Sequence, residues 1–166
     1  MNYRIGIGYD VHKLKKGNLL WLGGILIKHP YGVEGHSDAD VILHSICDAL
    51  LGAAGLGDIG KHFPDTDMAF KGIDSKILLK ETYRMVLKKK FKVINTDTTL
   101  SLQEPKIATY ILAMRNCIGK ILKISPFQIS IKATTSEGMG FIGRKEGVAA
   151  HSVCLLRSFY TKRKWV

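Results

Sequence analysis

An aspartate and a histidine stand two residues apart, Asp10 and His12, in Gly6-Ile-Gly-Tyr-Asp-Val-His12, and a second histidine follows at position 44. Side chains alternate along a strand, so a strand through Gly6 to His12 puts Asp10 and His12 on one face. A helix carrying His44 could bring a third donor to them. Three nitrogen and oxygen donors with one position left open is the ligand count of a working zinc site. A structural zinc site is closed and usually rich in cysteine. The competing account is an incidental pair, because Asp-x-His is a common spacing.

Five further groups could carry chemistry. Asp40, His44 and Asp48 recur every four residues and so share one stripe of a helix. The stripe is either a solvated face or a ligand with Asp40 as the partner that orients it. His36-Ser37 precedes the same helix, where free amides and the helix dipole suit a phosphate; otherwise His36 is a solvated loop residue. In Lys132-Ala-Thr-Thr-Ser-Glu137, Thr134 and Thr135 offer hydroxyl and amide donors, and Glu137 an oxygen for a hard cation such as Mg²⁺. In Gln103-Glu-Pro-Lys106, Lys106 and exposed backbone could meet an anionic or heterocyclic ligand, or form a plain surface turn. Arg144 could clamp a phosphate bidentately or simply be solvated.

These groups need elements to hold them. Tyr3 to His12 alternates as a strand, and residues 19–22 and 25–28 around Gly23-Gly24 form a hairpin. Gly32 to Gly35 reads as a loop. From Asp38 to about Leu56 the apolar residues Val41, Leu43, Ile46, Ala49, Leu50 and Ala53 recur at helical spacing, with Ser37 or Asp38 as N-cap. The stretch from Gly55 to Gly72, rich in Gly and Asp, is long for a connector, and such loops carry function. Asp74-Ser75 opens a helix to about Lys90, followed by a strand from Phe91 to Leu102 and a helix from Pro105 to Lys123. Phe127 to Thr135 is a strand, Gly138 to Gly147 a loop, and Val148 to Phe159 the last strand. The fold class expected is α+β, a mixed sheet packed on one face by three helices.

A chain of 166 residues suits one domain with a real core, here residues 1–159 with a basic tail at 160–166. No stretch reaches the roughly 20 apolar residues of a membrane span, so no membrane partner is expected. The N-terminal residues lack the apolar core of a signal peptide. Cys47, Cys117 and Cys154 are scattered in apolar settings and read as buried thiols of a reducing, cytoplasmic compartment. The net charge of +11 points either to a polyanion or to compositional bias, since Lys outnumbers Arg 19 to 6. The cations are dispersed and not interleaved with stacking aromatics. Nucleic acid is therefore not expected as the main partner, and phosphorylated small molecules are.

Taken together, the runs Gly8-Tyr-Asp-Val-His12, His36-Ser-Asp-Ala-Asp-Val41, Asp48-Ala-Leu-Leu-Gly52, Gly57-Asp-Ile-Gly-Lys61, Phe63-Pro-Asp-Thr-Asp67 and Phe70-Lys-Gly-Ile-Asp-Ser75 resemble one family. Pro105-Lys106, Lys132-Ala-Thr-Thr135, Gly140-Phe-Ile-Gly-Arg144 and Glu146-Gly147 continue the pattern. It is the 2-C-methyl-D-erythritol 2,4-cyclodiphosphate synthase family of the non-mevalonate isoprenoid pathway, and the resemblance runs from Arg4 to about Phe159. It implies a homotrimer with active sites between subunits. It also implies conversion of 4-diphosphocytidyl-2-C-methyl-D-erythritol 2-phosphate to the cyclic diphosphate with release of CMP.

By the same resemblance, Zn²⁺ falls on Asp10, His12 and His44, and Glu137 binds a second ion, Mg²⁺ or Mn²⁺, on the diphosphate. His36 and Thr135 are expected to stabilise the transition state, and Ser37, Asp10 and His12 also to touch substrate. Asp58, Ile59, Gly60, Phe63 and Asp65 belong to a flexible lid over the erythritol moiety. Leu102, Pro105, Lys106 and Ala108 are expected at the cytidine, with Ala133 and Thr134 from the neighbouring subunit's side. Phe141 and Arg144 match residues that line the trimer axis or reach the substrate phosphate. Met68 stands where the family often has Pro, and Gly138-Met139 replaces a common Lys-Leu. The rivals are a zinc-dependent phosphohydrolase with Asp40 or Asp48 as base, and a basic RNA-binding or scaffolding protein.

Overall fold

Alternation in the first strand sets the architecture. The computed structural model describes residues 2–159, and β1 (Tyr3–Lys16) occupies most of the N-terminal segment. Gly6 and Gly8 are buried, whereas Ile5, Ile7, Tyr9 and Val11 between and beyond them are 43–73% exposed. The buried face meets α1 (Val41–Ala54). A Cβ on Gly6 would come within 2.0 Å of the Ala49 carbonyl oxygen, and one on Gly8 within 2.0 Å of that of Ser45. Only glycine lets the helix backbone lie directly on the strand. That contact carries the start of α1, and His44 with it, to the half of β1 that holds Asp10 and His12.

The main sheet has five strands in the order β4 (Tyr31–Glu34), β1, β7 (Gly147–Ser158), β5 (Phe91–Ser101) and β6 (Ile129–Thr134). All neighbours are antiparallel except β5 and β6, so the sheet is mixed as expected. A small hairpin of β2 (Leu20–Leu22) and β3 (Ile25–Ile27) turns through Gly23 and Gly24, both at positive φ. The helical layer on one face consists of α1, α3 (Ser75–Lys88) and α4 (Ile111–Leu122). Helix α1 lies between the sheet and α3, and its residues are buried nearly all round, as an enclosed helix requires. Ile42, Leu43, Ile46 and Leu50 form the core with Leu79 and Val86 of α3, Met114 and Ile118 of α4, and Leu100, Val148 and Leu156 of the sheet. Two four-residue helices, α2 (Ile59–His62) and α5 (Gly140–Gly143), sit in the glycine-rich segments.

Several boundaries differ from the sequence reading, among them that of β1, which runs on to Lys16 instead of ending at His12. Residues 31–34 are an edge strand rather than a loop, because Gly32 lets the backbone pass Leu19, whose carbonyl oxygen lies 2.2 Å from where a Cβ would stand. Helix α1 starts later than Asp38, with Asp40 as N-cap accepting from the Ile42 and Leu43 amides. The helix expected from Pro105 begins at Ile111 after a single 3₁₀ turn at Ala108–Tyr110, since Leu102 and Ile107 are buried and hold the intervening loop against the core. The basic tail at 160–166 lies outside the described residues. Among the described residues no helix is long and apolar enough to cross a membrane.

Candidate functional site

Asp10 and His12 project from the helix-covered face of β1, and His44 reaches them from the first turn of α1. Asp10 Oδ2 lies 2.9 Å from His12 Nε2 and 3.0 Å from His44 Nδ1, and the two ring nitrogens are 3.2 Å apart. Ligand atoms at zinc-bond length stand roughly 3.3 Å apart at tetrahedral angles, so the triangle matches a shared ion. The three could hold a metal ion. Burial alone would raise the Asp10 carboxyl, but hydrogen bonds and charge from His12 and His44 outweigh it and hold the group well below the usual carboxylate range. Burial would likewise lower His44, and the adjoining Asp10 more than offsets this, so its imidazole is shifted upward. The Asp10 carboxylate is thus held ionised where the three donors meet.

The far side of His44 is also engaged. Its Nε2 lies 2.8 Å from Ser75 Oγ and 3.2 Å from Ser37 Oγ. Ser75 is fully buried at the first position of α3, and its hydroxyl donates to Asp38 Oδ1. Asp40 is not the orienting partner expected from the helical stripe. It is wholly buried and accepts four backbone amides, those of Gly23, Gly24, Ile42 and Leu43, which makes it the clamp between the hairpin and α1. Asp48 accepts the Ile59 amide at 2.7 Å. Asp40 is therefore spent as a structural clamp and cannot be the base that a phosphohydrolase would need, while Asp48 is half-buried with one oxygen committed to α2. The stripe is no solvated face either. The spacing of the sequence could not distinguish these roles, because each depends on a contact with another element.

The segment from Gly55 to Gly72, expected as a lid, is tied at both ends. Asp58 caps α2 through the Lys61 amide, while Ile59, Phe63 and Phe70 pack against the core and the two phenylalanines meet edge to face at 5.5 Å. Gly60 and Asp65 are exposed. His36 Nε2 lies 3.2 Å from the Asp67 carbonyl oxygen, and the Gly72 amide donates to His36 O at 2.7 Å. Met68 begins a 3₁₀ turn that Asp67 still caps, so the missing proline does not unmake it.

Seven of the remaining candidates gather at the other edge of the sheet. Leu102, Pro105, Lys106, Ala108, Ala133, Thr134 and Thr135 line one cleft of about 260 Å³. Ala133 and Thr134 were expected from the neighbouring subunit's side. They lie instead in the same chain as Leu102, because β5 and β6 pair Leu100 with Ala133 and Ser101 with Thr134. The Leu102 amide extends that ladder to Thr134 O at 3.0 Å. Thr135 Oγ1 donates to Glu137 Oε1 at 2.9 Å. Glu137 is exposed at φ +53°, a left-handed backbone that costs a non-glycine residue of order 1 kcal/mol or more and recurs at functional sites. Arg144 is held bidentately by Glu146 at 2.9 and 3.0 Å, and Phe141 covers Gly147. Lys145 joins this segment to the cleft loop through Glu104.

The two groups face the same way along the sheet but stand apart across it. Asp10 pairs with Ala150, Ala150 with Leu100, and Leu100 with Ala133, which places all four in one row. Three strand spacings separate Asp10 from Ala133, about 14 Å.

The profile of the YgbB family matches residues 3–157. Over 153 residues the chain is 54% identical to the 2-C-methyl-D-erythritol 2,4-cyclodiphosphate synthase of Syntrophomonas wolfei, covering 92% of this chain and 98% of that protein. A solved structure of 2C-methyl-D-erythritol-2,4-cyclodiphosphate synthase in a CDP-bound form superposes with a TM-score of 0.86 at 38% identity, over 93% of this chain and all of that one. The bifunctional IspDF of Campylobacter jejuni superposes with a TM-score of 0.92 at 46% identity over 95% of this chain, which spans 43% of that longer protein. With the profile matching residues 3–157 and relatives alike over nearly the whole chain, the chain belongs to the YgbB family, the 2-C-methyl-D-erythritol 2,4-cyclodiphosphate synthases.

Proposed function

We propose that this lyase converts 4-diphosphocytidyl-2-C-methyl-D-erythritol 2-phosphate to 2-C-methyl-D-erythritol 2,4-cyclodiphosphate and CMP. An oxygen of the 2-phosphate forms a bond to the β-phosphorus, the bond from that phosphorus to the bridging oxygen breaks, and CMP leaves with the electron pair. Water is not consumed, and the substrate carries its own nucleophile. The protein's part is then alignment and charge neutralisation. The observation that carries the reading is the triangle of Asp10, His12 and His44.

Those three residues would hold Zn²⁺ or another divalent ion, which when bound supplies Lewis-acid charge neutralisation for phosphate oxygens. Glu137 can give one oxygen to a Mg²⁺ or Mn²⁺ ion carried on the diphosphate, since such ions take one or two carboxylates plus phosphates. Thr135, whose hydroxyl donates to Glu137, and His36, whose Nε2 faces the Asp67 carbonyl oxygen, would exchange those partners for phosphoryl oxygens. Lys106 and the backbone of residues 102–108 would bind the cytidine end, with Ala133 and Thr134 closing the same cleft. Ser37, Asp58, Ile59, Gly60, Phe63 and Asp65 would enclose the methylerythritol. Arg144 would have to exchange Glu146 for a phosphate, and Phe141 would pack beside it.

The assembly proposed is a homotrimer with each site shared between two subunits, in the cytoplasm. The metal cluster and the cleft lie at opposite edges of one sheet, about 14 Å apart, so one chain offers two different half-sites. Joining unlike edges is a heterologous contact, which closes into a ring at the right rotation. The open sheet face with Ile5, Ile7, Tyr9, Val11 and Val153 provides the apolar area such a ring would cover.

³¹P NMR of the protein with the cytidyl substrate, Zn²⁺ and Mg²⁺ tests the reaction. Coupled doublets of a cyclic diphosphate with equimolar CMP are expected. Open-chain phosphates would replace the synthase reading with the phosphohydrolase. The mass in solution tests the assembly, and anything other than three chains overturns it.

A further inference from the structure

The contacts behind His44 form a directed chain. Asp38 is a carboxylate, so its Oδ1 can only accept. The Ser75 hydroxyl therefore spends its single proton on Asp38, and what its oxygen offers His44 Nε2 at 2.8 Å is a lone pair. His44 Nε2 must then carry a ring proton, so the only other ring proton is the one Nδ1 gives Asp10, and Nδ1 is the nitrogen from which a divalent ion would displace it. The other oxygen of Asp38 accepts the Ser75 amide at 3.1 Å, and Oδ1 also receives the Asp40 amide at 3.3 Å. Every partner of Asp38 is thus a donor, and the carboxylate cannot turn without losing one. Ser37 Oγ also lies 3.2 Å from His44 Nε2 and accepts the Ala39 amide. Among the described residues no acceptor claims its hydroxyl proton, so it cannot dictate the tautomer.

We propose that Ser75 and Asp38 are positioning residues, a buried relay that fixes the tautomer and orientation of His44 so that Nδ1 is ready for a divalent ion. The inference rests on the reading of Asp10, His12 and His44 as a divalent-ion site. It adds two residues that act through His44 and touch neither ion nor substrate. The relay also gives the lid a fixed end. Ser75 opens α3 just after that segment closes, and the Asp38 amide donates to Ile73 O at 3.1 Å. The return of the lid to the body of the protein and the orientation of the ligand are thus set by the same two residues.

Zinc affinity of the full-length protein by competition with a chromophoric chelator is the test, alongside the visible spectrum of the Co²⁺-loaded form. Loss of the partner of a metal-bound histidine weakens metal binding roughly 10- to 100-fold. Ser75→Ala should show that loss, with unchanged circular dichroism and solution mass, and Ser75→Thr should restore most of the affinity by returning the hydroxyl. Asp38→Asn is nearly isosteric yet should fail as badly. A carboxamide NH₂ at Oδ1 would donate to Ser75, free its proton to point at His44, and place a proton on Nδ1. The slowly exchanging Nε2–H signal of His44 in zinc-loaded protein should be absent from Ser75→Ala. Zinc affinity in Ser75→Ala equal to the parent's, or Ser75→Thr as weak as Ser75→Ala, overturns the relay while leaving the metal site standing. A parent protein that binds neither Zn²⁺ nor Co²⁺ overturns both.

Discussion

The two edges of the sheet are built to opposite designs. On the β1 side, Asp10, His12 and His44 are half-buried or buried, cross-linked to one another, and backed by Ser75 and Asp38. Glycines at 6 and 8 press a helix backbone onto the strand to make this possible. On the β6 side, Ala133, Thr134, Thr135 and Glu137 are all exposed, and the side chains of Thr134, Thr135 and Glu137 hydrogen-bond within their own turn. The first arrangement must be rigid before any ligand arrives, because a cation needs its donors preplaced. The second, in the proposed reaction, would offer hydroxyls and amides to a flexible phosphate chain, and it is open to solvent. Substitutions should therefore fail differently at the two edges.

The largest effect belongs to His44→Ala. It removes one of three donors from the cluster, and turnover should fall by at least about three orders of magnitude, given the several kcal/mol of charge stabilisation a catalytic ion provides. Bound zinc, read by elemental analysis, should vanish while the solution mass stays that of the parent. Stoichiometric zinc in that variant would remove His44 from the ligand set. Thr135→Ala should behave in the contrary way: full zinc, unchanged melting, and turnover lowered roughly 100-fold, as for loss of one transition-state donor. An unchanged kcat would take Thr135 out of the chemistry and leave it as part of the turn.

How far each edge could be read from the sequence follows the same division. The period of two in β1 put Asp10 and His12 on one face, and the helical period through Val41, Ile46 and Leu50 marked α1 and so His44. Local periodicity was enough there, because Gly6 and Gly8 allow only one way for the two elements to meet. It misjudged Asp40, whose four amide partners come partly from a hairpin 16 to 17 residues upstream. It also missed Asp38 and Ser75 as a pair, since each reads as a cap residue and their contact spans 37 positions. Gly32 looked like a loop for want of the Leu19 carbonyl that makes glycine necessary. At the other edge Ala133 and Leu102 share a cleft only through parallel pairing of β5 with β6, a register that alternation within either strand does not contain.

A smaller effect separates packing from chemistry on the β1 side. Gly8→Ala would drive a methyl group to 2.0 Å from the Ser45 carbonyl oxygen and to 2.7 Å from the Ala49 amide nitrogen. Both are backbone atoms of α1, so the helix as a whole must move. Overpacking of this kind costs about 1–3 kcal/mol, which should appear as a lowered denaturant midpoint. Because His44 immediately precedes Ser45, zinc affinity should fall with it. An alanine here that lowers stability but leaves zinc affinity intact would show that the cluster tolerates a shifted helix, and the rigidity ascribed to this edge would be wrong.

The smallest effect is expected at Lys106, and it sharpens the comparison most. Lys106 is exposed on the cleft loop, among Pro105, Ile107 and Ala108, and no ion pair holds it among the described residues. A solvated ammonium on a flexible stem contributes at most about 1 kcal/mol to an ion pair. Lys106→Ala should therefore raise KM a few-fold, with kcat, zinc content and melting all unchanged. That split is the signature of uniform binding, lost equally from ground and transition states. A fall in kcat instead would mean that the cleft edge takes part in the chemical step, and the assignment of catalysis to the cluster, Thr135 and Glu137 would have to widen to include it.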